Sequence, residues 1–131
     1  MKRLAWLGTL LVLGTLAADG LAARKEKQTL TGEYYWVGDR STGDLRAVFT
    51  ATADREWNVA FYFTFNGRPH TYRGTASGSL SEGNLEGEVQ NENRRRTFTF
   101  EGAFEDGVFE GTHAEIRRGR ASQIGTLTLS R

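Results

Sequence analysis

His113 and Glu115 stand two residues apart. On an extended strand such residues share a face, so an imidazole that titrates near neutrality and a carboxylate would point the same way. The pair suits general acid/base work or the orientation of a polar ligand. The plainer reading is a salt-linked or solvated pair at the end of a strand, and both readings stay open. His70, His113 and Glu115 are donor types that zinc accepts. Their strands lie three apart in the expected order, so no metal site is read from them. The basic residues are nearly all arginine, whose planar fork grips planar anions better than lysine does. No Ser/His/Asp constellation is evident, and the glycines never form a phosphate loop between a strand and a helix. The residues therefore favour a protein that binds without catalysing, with no cofactor.

The element that must position His113 and Glu115 is the stretch Phe98 to Glu115, FTFEGAFEDGVFEGTHAE. Asp106-Gly107 is a two-residue turn of the kind that tolerates positive φ at both positions, flanked by alternating strands. It sets Glu105 opposite Val108, Phe104 opposite Phe109, Gly102 opposite Gly111, Phe100 opposite His113 and Phe98 opposite Glu115. The other face carries Thr97, Thr99, Glu101, Glu110 and Thr112, so the phenylalanine face is the buried one. His113 and Glu115 lie on that same inner face.

Alternating runs separated by turn signals continue through the chain, with one proline and no helical period. Eight strands are expected, near residues 30–37, 45–53, 57–65, 68–80, 84–92, 95–104, 108–116 and 120–130. Such regular spacing predicts an all-β antiparallel up-and-down meander, and eight strands can close into a barrel without edges. Asn66-Gly67 sets Phe65 opposite Arg68, Phe63 opposite His70 and Phe61 opposite Tyr72. Glu82-Gly83 sets Leu80 opposite Leu85, and Asn93-Arg94 sets Asn91 opposite Arg96. A three-residue loop, Arg117-Arg118-Gly119, sets Glu115 opposite Ala121 and His113 opposite Gln123. An odd loop, Asp54 to Glu56, brings Ala53 beside Trp57. Inward glycines, among them Gly32, Gly74, Gly87 and Gly125, keep large side chains from filling the interior.

Hairpin tips of a meander alternate between its two ends, so inner residues sort by height. Trp57, Leu80, Leu85, Phe104, Phe109 and Leu129 close one end with apolar packing. Trp36, Phe63, Phe65, Arg68, His70, Asn91, Arg96, His113, Glu115 and Gln123 lie at the other. Inward polar groups cost several kcal/mol each without partners, about 2–7 by transfer measurements. That end must be hydrated, mutually paired or occupied. Tips at this mouth carry most of the arginines, including Arg40, Arg94, Arg118 and Arg120, whereas the closed-end turns are mostly acidic. A basic rim attracts anions before contact.

Met1-Lys2-Arg3, the apolar run Leu4 to Ala18 and the small residues near Ala22 and Ala23 read as a secretory signal peptide over 1–23. The apolar run is shorter than the roughly 20 residues that span a bilayer, so no stable membrane anchor is expected after removal. A polar lead, 24–29, then precedes a single barrel domain, 30–131. The protein is expected to be secreted or periplasmic. Without residues 1–23 its formal charge is near zero, so nucleic acid is not an expected partner. Cysteine is absent, which excludes disulfides, thiolate metal sites and a thiol nucleophile.

At Gly32-Glu33-Tyr34-Tyr35-Trp36, opening the first strand, the chain resembles a lipocalin or avidin-type barrel. Those families place a Gly-x-Trp at this strand, with Tyr34 standing here in the tryptophan's place. The resemblance implies a pocket for a small, largely apolar molecule. The leading expectation is a small, partly apolar, anionic ligand held in the mouth. Arg68 and Arg96 would hold its head, His113, Glu115 and Gln123 would orient it, and Trp36, Phe63, Phe65, His70 and Tyr72 would line its site. The alternative is a periplasmic interaction or inhibitor module that engages a protein partner through its loops.

Overall fold

The computed structural model describes residues 26–131. The expected signal peptide, 1–23, lies outside them. Eight strands follow one another: β1 (Lys27–Trp36), β2 (Ser41–Ala53), β3 (Glu56–Phe65), β4 (Arg68–Gly78), β5 (Gly83–Asn91), β6 (Thr97–Glu105), β7 (Val108–Arg117) and β8 (Arg120–Ser130). Each pairs antiparallel with the next, and β8 returns to β1 to close the barrel. No helix occurs among the described residues. Strand β1 begins earlier than the sequence suggests. Lys27 to Thr29, read as the end of a polar lead, pair with Thr50 to Val48; their side chains sit at the barrel's end, where an apolar alternation is not required.

The tight turns set the register. Asn66-Gly67, Asp106-Gly107 and Arg118-Gly119 all have positive φ at both positions, between 50° and 78°, the geometry whose twist matches that of the flanking strands. The first two give the expected pairs, including Phe63 with His70 and Phe98 with Glu115. The β5–β6 tip does likewise, with Val89 opposite Phe98. It is built by two asparagines: the Arg96 amide donates to Asn91 Oδ1 at 3.0 Å, and the Arg95 amide to Asn93 Oδ1 at 3.0 Å. Asparagine commonly bonds nearby backbone in this way and stabilises turns.

Three expected registers are corrected. Gly78, not Leu80, faces Leu85, because the β4–β5 connection is a longer loop in which Ser79 Oγ accepts from the amides of Ser81 and Glu82. Leu80 folds in from that loop and is buried. Ala51, not Ala53, faces Trp57, and the odd residue sits in the strand as a bulge between Ala51 and Ala53. The same exchange occurs at the last hairpin: Arg117 faces Arg120, and Glu115 faces Ser122 rather than Ala121. A bulge between His113 and Ala114 then sets Ala114 opposite Gln123 and His113 opposite Gly125. A bulge changes which residues face inward just as an odd loop does.

One end of the lumen is filled. Leu30, Phe49, Leu85, Phe109 and Leu129 are essentially inaccessible to solvent, each contributing about 1.5–3 kcal/mol by burial. Trp57 packs edge-on against Phe49 and donates its indole N–H to the Gly78 carbonyl at 3.0 Å. At the β1–β8 seam Gly32 is required by space: a Cβ there would fall on the Thr128 carbonyl oxygen. With that end packed, any room for a ligand lies toward the tips of β1–β2, β3–β4, β5–β6 and β7–β8.

Candidate functional site

A recess of about 90 Å³ opens at that end. Inward positions of β3 and β6 build its floor, where Phe61 and Phe100 meet across the lumen with ring centroids 5.0 Å apart. One inward step higher on β3, Phe63 stacks on His70 of β4 at 5.4 Å and 19°, and Tyr34 of β1 meets it edge-on. The Tyr34 hydroxyl is held by donating to the Thr64 carbonyl at 3.0 Å. At the top Trp36 and Phe65 lie 4.8 Å apart, tilted by 36°. Tyr72 and Phe98 complete the wall edge to face at 5.4 Å. Leu45, Leu127 and Ile124 fill between these rings.

Seven of the expected site residues line this recess: Trp36, Phe63, Phe65, His70, Tyr72, Arg96 and His113. Glu115 is not on its wall but is 6% exposed and holds Arg96 in place. Its Oε2 accepts from Arg96 Nε at 2.7 Å and its Oε1 from Arg117 Nε at 2.8 Å. Two residues do not join the site. Arg68, opposite Phe65 beside the β3–β4 turn, is exposed. Gln123 is exposed and opposes Ala114, because the bulge swaps it outward and turns Ile124 toward the recess. Ile124 was therefore missed, and the only sequence sign of it is an apolar residue one step out of phase with Leu127 and Leu129.

His113 and Glu115 share the inner face but do not bond each other. The His113 Nε2 lies 3.1 Å from the Tyr35 carbonyl oxygen, which can only accept, so Nε2 carries the proton. Gly125, opposite His113, leaves space for the ring: a Cβ there would meet both the Tyr35 carbonyl and the imidazole. Burial pushes the His113 pKa below its ordinary 6.5, with the Tyr35 bond opposing that shift in part. The imidazole is thus neutral at pH 7, with Nδ1 left as an acceptor. Burial alone would raise the Glu115 pKa, but the hydrogen bonds and charges of Arg96 and Arg117 outweigh it and hold it below 4.5.

Among the described residues Arg96 is the only Lys, Arg, Asp or Glu on the recess wall. Its guanidinium lies over the rings of Trp36 and Phe98, 5.5 and 5.2 Å from their centroids, a cation–π arrangement that fixes it from the aromatic side. Burial raises the Tyr72 phenol, and the nearby Arg96 charge draws it partly back, so Tyr72 stays a neutral hydroxyl. No group of three or more His, Asp or Glu side chains converges as a metal site among the described residues; His70, His113 and Glu115 are not brought together. Chemically, the recess offers aromatic walls, one fixed cation at the rim and a neutral imidazole.

No family model matches the chain, and the search of curated proteins finds no match. The closed eight-stranded antiparallel barrel is shown by the strand pairing itself.

Proposed function

We propose that this barrel binds a small, partly apolar anion in its open mouth and does not catalyse a reaction on it. The observation that carries this reading is an apolar recess with one immobilised guanidinium at its rim. An enclosed void of that size in a packed interior would forgo about 2 kcal/mol, and Gly87 and Gly125 give up their side-chain space to the Phe100 and His113 rings that line this recess. The arginine-rich tips around the mouth favour approach of an anion. The reading without catalysis draws on His113 and Glu115 being engaged apart from each other, His113 with a backbone carbonyl and Glu115 with two arginines. The N-terminal basic, apolar and small-residue pattern supports a secreted or periplasmic setting.

The second reading, a protein-interaction module, draws on a shallow groove along the outer face of β4 to β7, lined by residues such as Thr75, Glu86, Glu88 and Thr112. It has less support, because interface anchors are usually large aromatic or apolar side chains. Among the described residues the exposed large hydrophobics are Val37 and Val108 alone, on tips at opposite ends. Native mass spectrometry of protein purified from its own host separates the two. A retained small molecule is the expected result; a stoichiometric protein partner with no small molecule would overturn the binding reading.

A further inference from the structure

We propose that the ligand class is the single-ring aromatic carboxylate, its ring in the recess and its carboxylate on the free edge of Arg96. This rests on the binding reading above and narrows it by size, shape and charge.

Size sets the first limit. A cavity of about 150 Å³ encloses benzene, whereas this recess has about 90 Å³ and opens at the top. It admits part of one ring with the substituent left at the rim. A long acyl chain has no further lumen to enter, because Phe61 and Phe100 close the floor and the residues beneath are packed.

Shape sets the second. The upper walls are flat plates, with Phe63 nearly parallel to His70 and Trp36 inclined to Phe65 by 36°. Aromatic guests gain from offset-stacked and edge contacts with such walls beyond the area they bury.

Charge sets the third. Glu115 neutralises one of the two guanidiniums bonded to it, so the Arg96–Glu115–Arg117 cluster keeps one excess positive charge. Glu115 engages the Nε of Arg96 and the Tyr72 hydroxyl interacts with the same guanidinium, while among the described residues no second carboxylate is paired with its two Nη groups. Those groups form a fork edge that fits a carboxylate with two parallel hydrogen bonds. Tyr72, whose oxygen already accepts from Arg96, still has its neutral O–H to donate as a third.

Isothermal titration of the purified protein with benzoate, benzamide, cyclohexanecarboxylate and decanoate tests this. Benzoate should bind tightest, with benzamide about tenfold weaker for want of the charge-assisted pair. Cyclohexanecarboxylate should be weaker by about threefold or more for want of flatness. Arg96→Lys keeps the charge and removes the fork, so it should weaken benzoate about tenfold and leave benzamide unchanged. Equal loss for both probes would make Arg96 structural only and overturn the assignment. If benzamide, cyclohexanecarboxylate or decanoate binds as tightly as benzoate, the ligand class falls while the binding site stands. If none of the four binds, both fall.

Discussion

Arg96 Nε lies 2.7 Å from Glu115 Oε2, tying the residue that precedes β6 to the inner face of β7. Neither residue is independent of the other. Glu115 would be a buried carboxylate without its arginines, and Arg96, 35% exposed at its side chain, would be free to leave the rings of Trp36 and Phe98. The rim cation of the recess is therefore positioned by an acidic residue that never touches the recess.

Glu115→Gln should lower stability by about 1–3 kcal/mol, since it weakens two charge-assisted bonds at a mostly buried site. In a domain of this size that is a fall in Tm of about 5–15 °C. Binding of an anion should fall by a larger factor than that of a neutral probe. Thermal melts and titrations on one preparation check both, and a stability loss without any change in anion preference would make the pair purely structural.

The His113 pKa is depressed in the fold, so the unfolded chain takes up a proton first as pH falls. Stability should be complete above about pH 6.5 and decline below it toward the folded-state pKa. Glu115, also depressed, adds a second decline only below about 4.5. His113→Gln should flatten the loss between pH 7 and 5 in denaturant titrations. An unchanged slope would place that loss on other groups.

Arg118 sits at φ 50° in a two-residue turn before Gly119, a conformation that asparagine adopts more readily than arginine. Arg118→Asn should stabilise by about 0.5–1 kcal/mol, read as a Tm rise of a few degrees. No rise, or a fall, would show that the arginine side chain contributes something the turn geometry does not reveal.

Gly32→Ala should destabilise by about 3 kcal/mol, because the new Cβ meets the Thr128 backbone at the seam that closes the barrel. Chemical denaturation measures this directly. Near-wild-type stability would mean that β1 and β8 are not paired as described.

Much of this was legible in the sequence wherever a turn uses residues suited to positive φ. Asn66-Gly67 and Asp106-Gly107 fixed the faces of β3, β4, β6 and β7, and with them Phe63, His70, Phe98, His113 and Glu115. The misplacements at β2–β3 and β7–β8 share one cause. In β2–β3 and β7–β8 the alternation demands an odd residue, and sequence alone puts it in the loop. The structure instead tolerates Arg55 and Arg118 at positive φ in two-residue turns and places the odd residue in a strand bulge. A bulge needs no diagnostic residue type, so Gln123 was read inward and Ile124 outward. The β4–β5 error differs: Leu80 is buried from a loop, and an apolar loop residue looks like strand when only alternation is read.

The most direct test uses the two indole N–H groups at opposite ends of the lumen, Trp36 at the mouth and Trp57 at the packed end. Nitrogen-edited NMR spectra are recorded while a panel of small aryl and alkyl anions and their neutral analogues is added. Saturable shifts of the Trp36 signal are expected, larger for anions, with the Trp57 signal fixed by its bond to Gly78. A panel that leaves Trp36 unmoved throughout, or moves Trp57 first, would contradict a binding site in the mouth.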